Sequence, residues 1–185
     1  MKQLFAALLA LCLMLACPMA ALAQQTETID ISVDAVRAEA GAQEAAVVVS
    51  LANCAGMDSI QLRLHYDETC VRLSSVGTSG LLNEGLHVLN TEKSGLLILA
   101  FASAEGLRAD KGTLLELNFT LVNEAGSAVT VTDVLATRYD KESGVQSKAY
   151  VTLQDGGITF REDGAMPEAV VTPWIAETPD RKSVV

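Results

Sequence analysis

Between residues 28 and 161, apolar and polar side chains alternate with a period of two. The clearest case is "GMDSIQLRLHYD", residues 56–67. Ile60, Leu62, Leu64 and Tyr66 fall on one face of an extended chain, and Ser59, Gln61, Arg63 and His65 fall on the other. The first set predicts a core face. The second predicts a face left to solvent or to a partner. Thr28–Val36 reads as an earlier strand with Ile29, Ile31 and Val33 on one side, and "AVVVSLAN" as a central strand, because its apolar run is unbroken. "CVRLSSVGTSG" predicts the next strand, with Val71 and Leu73 inward. "GLHVLNTEKSGLLILAFA" predicts a hairpin turning at Glu92, Lys93, Ser94 and Gly95. "GTLLELNFTLV" places Leu115, Leu117, Phe119 and Leu121 inside. "SAVTVTDVLATRYD" and "AYVTLQDGGITF" close the domain.

Short turn signals separate these segments: "EAGAQ", "CAGMD", "YDET", "NEAGSA", "DKESG" and "QDGG". No sustained helical period intervenes. Eight or nine short strands in this arrangement predict an all-β antiparallel sandwich or barrel.

The two ends follow another pattern. Lys2 precedes an apolar run that closes on Ala21-Leu22-Ala23, the layout of a secretory signal peptide over residues 1–23. Cleavage before Cys17, as in a lipoprotein, is the alternative, although Met14-Leu15-Ala16 is a poor match to that motif. The domain is expected over 24–162, and residues 163–185, with three prolines and no alternation, read as a tail. Its apolar stretch "VVTPWIA" holds the chain's single tryptophan, Trp174. That stretch has two readings: a sticky patch on a linker, or a segment that packs on the sandwich or a partner. No second run is apolar and long enough to span a bilayer.

Charge and cysteine narrow the class. The chain carries 13 basic and 23 acidic residues, a net charge of −10. Such a balance disfavours nucleic acid and anionic membrane as partners. Cys12 and Cys17 leave with the leader. Cys54 and Cys70 flank the strand at 57–66, and a strand of that length spans ~30 Å against the ~7 Å that a disulfide tolerates. Two free thiols are expected.

Catalytic constellations are missing from the sequence. It contains no GxSxG elbow, no HExxH, no glycine-rich phosphate loop and no EF-hand loop. The carboxylate pairs Asp67/Glu68 and Asp140/Glu142 fall in turns. His65 and His87 fall on strands and could face each other across a sheet, but two histidines without a carboxylate are more simply surface residues. "NFT" at Asn118 is a glycosylation sequon in form only. Aromatic residues make up 4% of the chain, too few for a stacked sugar platform. No enzyme, cofactor or metal on this chain is expected.

Five stretches in order give the chain a family resemblance. "VDAVRAEAGAQEAAVVVSLAN", "GMDSIQLRLHYDETCVRLSSV", "GLLILAFASAEG", "GTLLELNFTLV" and "LQDGGITF" together resemble a cohesin domain, the receptor module of cellulosome scaffoldins, from about 29 to 161. The resemblance implies a nine-stranded jelly-roll sandwich; with the leader, the expected location is secreted or at the surface of a bacterial cell. The resemblance implies a partner as well: the dockerin module of another protein, such as a polysaccharide-degrading enzyme, with calcium held by the dockerin. In the family the dockerin lies on a sheet face made by the strands matching 57–66, 86–91 and 96–102. Carried over position by position, this implies contact through Ser59, Gln61, Arg63 and His65, through Ile98, Ala100 and Ala102, and through His87 and Leu89 on the strand whose register is least defined. Gln61 departs from the charged anchor common at its position, which leaves the specificity class open. A carbohydrate-binding module and a structural cell-surface sandwich are the alternatives, since one architecture serves many functions.

Overall fold

A computed structural model describes residues 28–78 and 80–160. The expected leader over 1–23, the tail over 163–185 and Trp174 lie outside the described residues. Twelve strands are present among the described residues: β1 Thr28–Val33, β2 Ala35–Ala38, β3 Glu44–Ala52, β4 Met57–Tyr66, β5 Val71–Gly77, β6 Leu86–Asn90, β7 Leu96–Ala102, β8 Lys111–Leu121, β9 Ser127–Asp140, β10 Val145–Lys148, β11 Tyr150–Gln154 and β12 Gly156–Phe160. A 3-10 turn, Gly80–Glu84, buries Leu81 and Leu82.

The strands form two sheets. One runs β11-β1-β3-β8-β5; the other runs β2-β12-β9-β4-β7-β6, with β10 hydrogen-bonded to β9. Their inner faces make the core. Ile29, Ile31, Val47, Val49, Leu115, Leu117 and Phe119 from the first sheet face Ile60, Leu62, Leu64, Leu97, Leu99 and Phe101 from the second. All of these are at most 3% exposed, as period-2 alternation requires of a two-layer fold. Tyr66 sits edge-on to Phe119, ring centroids 5.2 Å apart, and closes one end of the core.

The expected count of nine strands changes for a physical reason. The segments read as one strand at 28–36 and one at 150–160 are each broken in two. β1 pairs in parallel with β11 in one sheet, and β2 pairs in parallel with β12 in the other. Both segments therefore cross from sheet to sheet together, at Asp34 and at Asp155. The crossing is tight. Gly157 donates its N–H to the Asp34 carbonyl at 2.9 Å, and a Cβ on Gly156 would sit 2.3 Å from the Val33 carbonyl oxygen. The "DGG" of the sequence is thus the point where one backbone passes another. β10 is the twelfth strand, formed where the turn "DKESG" folds "VQSK" back on β9.

The two cysteines are free and buried at opposite ends of β4. Among the described residues, no helix is long and apolar enough to cross a membrane.

Candidate partner-binding face

The outer side of the sheet β9-β4-β7-β6 carries the candidate residues. β4 and β7 pair antiparallel, so that Ser59 lies opposite Ala102, Gln61 opposite Ala100 and Arg63 opposite Ile98. Residues paired directly across two strands share one face. Gln61, Arg63, His65, Ala100 and Ala102 are exposed, and Ser59 and Ile98 are half-buried. The structure thus brings Ser59, Gln61, Arg63, His65, Ile98, Ala100 and Ala102 together on one surface.

His87 and Leu89 do not join them. On β6 they pair with Phe101 and Leu99, whose side chains point into the core, and Leu89 packs against that core. The outward positions of β6 are Leu86, Val88 and Asn90, opposite Ala102, Ala100 and Ile98. The expected register was off by one. "LHVLN" has apolar residues in both phases, so its pattern does not choose a face; the Thr91–Gly95 turn does, with the Leu96 N–H bonded to the Lys93 carbonyl at 3.1 Å. His65 and His87 consequently lie on opposite sides of the sheet and do not face one another. No group of three or more His, Cys, Asp or Glu side chains among the described residues is placed to hold a metal ion.

The correction adds Leu86, 83% exposed, and Val88, 68% exposed. From β9 the face gains Leu135, which lies opposite Gln61. Leu86, Val88, Ala100 and Ala102 form an apolar margin along the free edge of the sheet. Large aliphatic side chains this open on adjacent rungs are the usual mark of a binding surface.

The other margin is polar and internally bonded. The Thr137 hydroxyl donates to Asp58 Oδ1 at 2.6 Å, so the Ser59 hydroxyl, 2.5 Å from it, donates to Thr137. Gln146 Nε2 on β10 donates to Asp58 Oδ2 at 2.9 Å and to the Thr137 hydroxyl at 3.1 Å. Between Gln61 and Arg63 the register against β9 slips, and Asp133 takes a left-handed φ of 49°. An Asp tolerates that conformation better than most residues. The bulge brings the Asp133 carboxylate to the Arg63 guanidinium, which donates to it at 2.8 Å. Asp133, Thr137 and Gln146 escaped the sequence reading because only the pairing of β9 with β4, its bulge and the unexpected β10 bring them to β4, where Asp58 accepts the bonds of Thr137 and Gln146 beside an irregularity between Met57 and Ser59.

The face therefore joins an apolar edge to a polar, hydrogen-bonded margin on an acidic molecule. It can bury a complementary protein surface. A family model described as "Cohesin domain" matches residues 29–160. The chain belongs to the cohesin family. Solved cohesins share its fold. The seventh ScaB type I cohesin of Pseudobacteroides cellulosolvens superposes with a TM-score of 0.63 at 15% identity, over 76% of this chain and 96% of that one. A non-cellulosomal cohesin of the archaeon Archaeoglobus fulgidus gives 0.60 at 18%, over 73% and 92%. The Coh-OlpC-Doc435 structure, a type I cohesin–dockerin complex from Clostridium thermocellum, gives 0.60 at 17%, over 72% and 93%. A comparison with curated protein sequences finds no significant match. The expectation of a cohesin jelly-roll sandwich holds.

Proposed function

We propose that this cohesin is a secreted, non-catalytic module that docks the calcium-loaded dockerin of a second protein on the outer face of β9-β4-β7-β6. The observation that carries the reading is the exposed apolar margin of Leu86, Val88, Ala100 and Ala102 beside Gln61, Arg63 and Ser59, an apolar patch rimmed by polar groups. Membership of a family with solved dockerin complexes supports it. Calcium belongs to the dockerin in this reading. The partner's own activity, such as polysaccharide hydrolysis, is recruited by the contact. In this reading residues 1–23 serve as the export signal.

The carbohydrate-binding alternative needs a planar strip of exposed rings. Among the described residues, the exposed tyrosines Tyr139 and Tyr150 lie in different sheets. That distribution favours docking. Calorimetric titration of the mature chain with singly expressed dockerins encoded alongside it, with calcium and with chelator, tests the reading. Calcium-dependent binding that Ala100→Arg abolishes is the expected result. Binding unaltered by that substitution overturns the assignment of the face.

A further inference from the structure

The proposed face is divided in its chemistry, and we infer that its β6–β7 margin, an uncharged apolar strip built on Leu86 and Val88, anchors the partner, while Arg63 contributes little; this rests on the docking reading above. Much of the polar half is already bonded within the domain. Arg63 is held by Asp133, so an incoming carboxylate must displace one that is in place, and an incoming cation must compete with Arg63 for Asp133. Asp58, Ser59, Thr137 and Gln146 bond to one another. Exchanging such bonds for bonds to a partner gains little net free energy.

The apolar half has no internal partner to lose. Leu86 and Val88 are 83% and 68% exposed, and covering them removes apolar surface from water at no cost in broken hydrogen bonds. No charged side chain points outward from β6 or β7, because His87 faces the other side of the sheet. Charge complementarity therefore selects a neutral apolar stripe on the dockerin. A lysine or arginine set against this strip would lose hydration and gain no counter-charge. A second copy of this chain fits less well, since each copy carries a net charge of −10 and the strip offers no opposite charge to offset the repulsion. Leu86 and Val88 thereby act as specificity-determining residues: they reject a partner that presents a cation at the β6 edge and accept one that presents an aliphatic side chain.

The test uses the same dockerin panel, titrated against the full mature chain at about 0.05 M and about 0.5 M NaCl, conditions that change the reach of surface charge severalfold. The expected binder shows a Kd that changes by less than about threefold between the two salts. Leu86→Glu and Val88→Asp raise Kd by roughly 30-fold or more, Leu86→Ala by roughly fivefold, and Arg63→Ala by less than about threefold. Both β6 positions are open, so these variants should keep the wild-type melting temperature; Leu86→Ala adds no charge and guards against a purely electrostatic effect. A Kd that rises more than about tenfold with salt, or an Arg63→Ala loss equal to that of Leu86→Glu, overturns this inference and leaves docking standing. If no dockerin of the panel binds the wild-type chain, the docking reading falls, and this inference falls with it.

Discussion

Cys54 shows how burial fixes a residue's chemistry. It is fully buried beside β4, and its thiol points at the carbonyls of Ala109 and Asp110, 3.4 and 3.2 Å away. Burial, helped by the nearby Asp110 carboxylate, pushes the thiol up to about 11 from an ordinary value of 9.0. In the folded protein Cys54 should resist a thiol reagent at pH 8 and react once denaturant opens the core; rapid labelling of the native chain at Cys54 would contradict this placement. The linkage has a definite sign. The folded value lies above the unfolded one, so this contribution to stability is complete below pH 9 and is lost as pH rises through about 11. A Cys54→Ser chain should show a shallower alkaline decline in melting temperature. At this scale the sequence was legible wherever alternation had one phase, as at Ile60, Leu62 and Leu64. It was illegible at Leu86 and Val88, where both phases are apolar.

The β9–β10 hairpin makes the same point for an element. Every residue of β10 is exposed, so "VQSK" has no core face and leaves no alternation to read. What builds the strand is its turn. Asp140 accepts the Glu142 N–H at 2.8 Å and the Ser143 hydroxyl at 2.7 Å, and the Gly144 N–H returns to the Asp140 carbonyl at 2.8 Å. The bonds to the carboxylate, the Ser143 hydroxyl first and then the Glu142 and Ser143 N–H groups, hold the Asp140 carboxyl below the usual carboxylate range. Its folded value lies below its unfolded one, so the stabilisation is present above the unfolded value of about 4 and is lost as pH falls through the folded value. Asp140→Ala should therefore loosen the hairpin: amide exchange at Gly144 and at the β10 amides bonded to β9 should quicken severalfold while that of β4 and β8 stays slow. Equal acceleration throughout would mean that the turn is coupled to global unfolding instead. Gln146 sits on this hairpin and bonds Asp58, so the loosening reaches the polar half of the binding face but leaves Leu86 and Val88 as they are.

For the whole molecule the deciding feature is the joint crossing of segments 28–38 and 150–160 between the sheets. Alternation gave both segments as strands, and it could not show that each changes sheets, since a sheet switch keeps the period of two on either side of the break. The trace it left was "DGG". Gly156 packs where an added Cβ would meet the Val33 and Asp34 carbonyl oxygens at 2.3 and 2.4 Å, and Gly157 takes a φ of 141° that an L side chain seldom adopts. Asp155 secures the corner by accepting the Val131 N–H at 3.0 Å. Backbone atoms cannot turn aside as a flexible side chain can, so Gly156→Ala must push the two crossing segments apart. Either displacement spreads. β1 and β11 lose pairing in one sheet, β2 and β12 in the other, and the core residues Ile31, Val33 and Ile158 lose their packing together. A cost on the order of 2–4 kcal/mol is expected. Because both sheets meet at this corner, the loss should appear as a lower denaturant midpoint of one cooperative transition with an unchanged slope. An unaltered midpoint would show that the crossing has room to spare, and a second transition would show that the sheets can unfold apart. Since Leu86 and Val88 stand at the opposite edge of the sandwich, dockerin affinity measured well below the midpoint should stay within about twofold of the wild-type value, separating what holds the domain together from what its face binds.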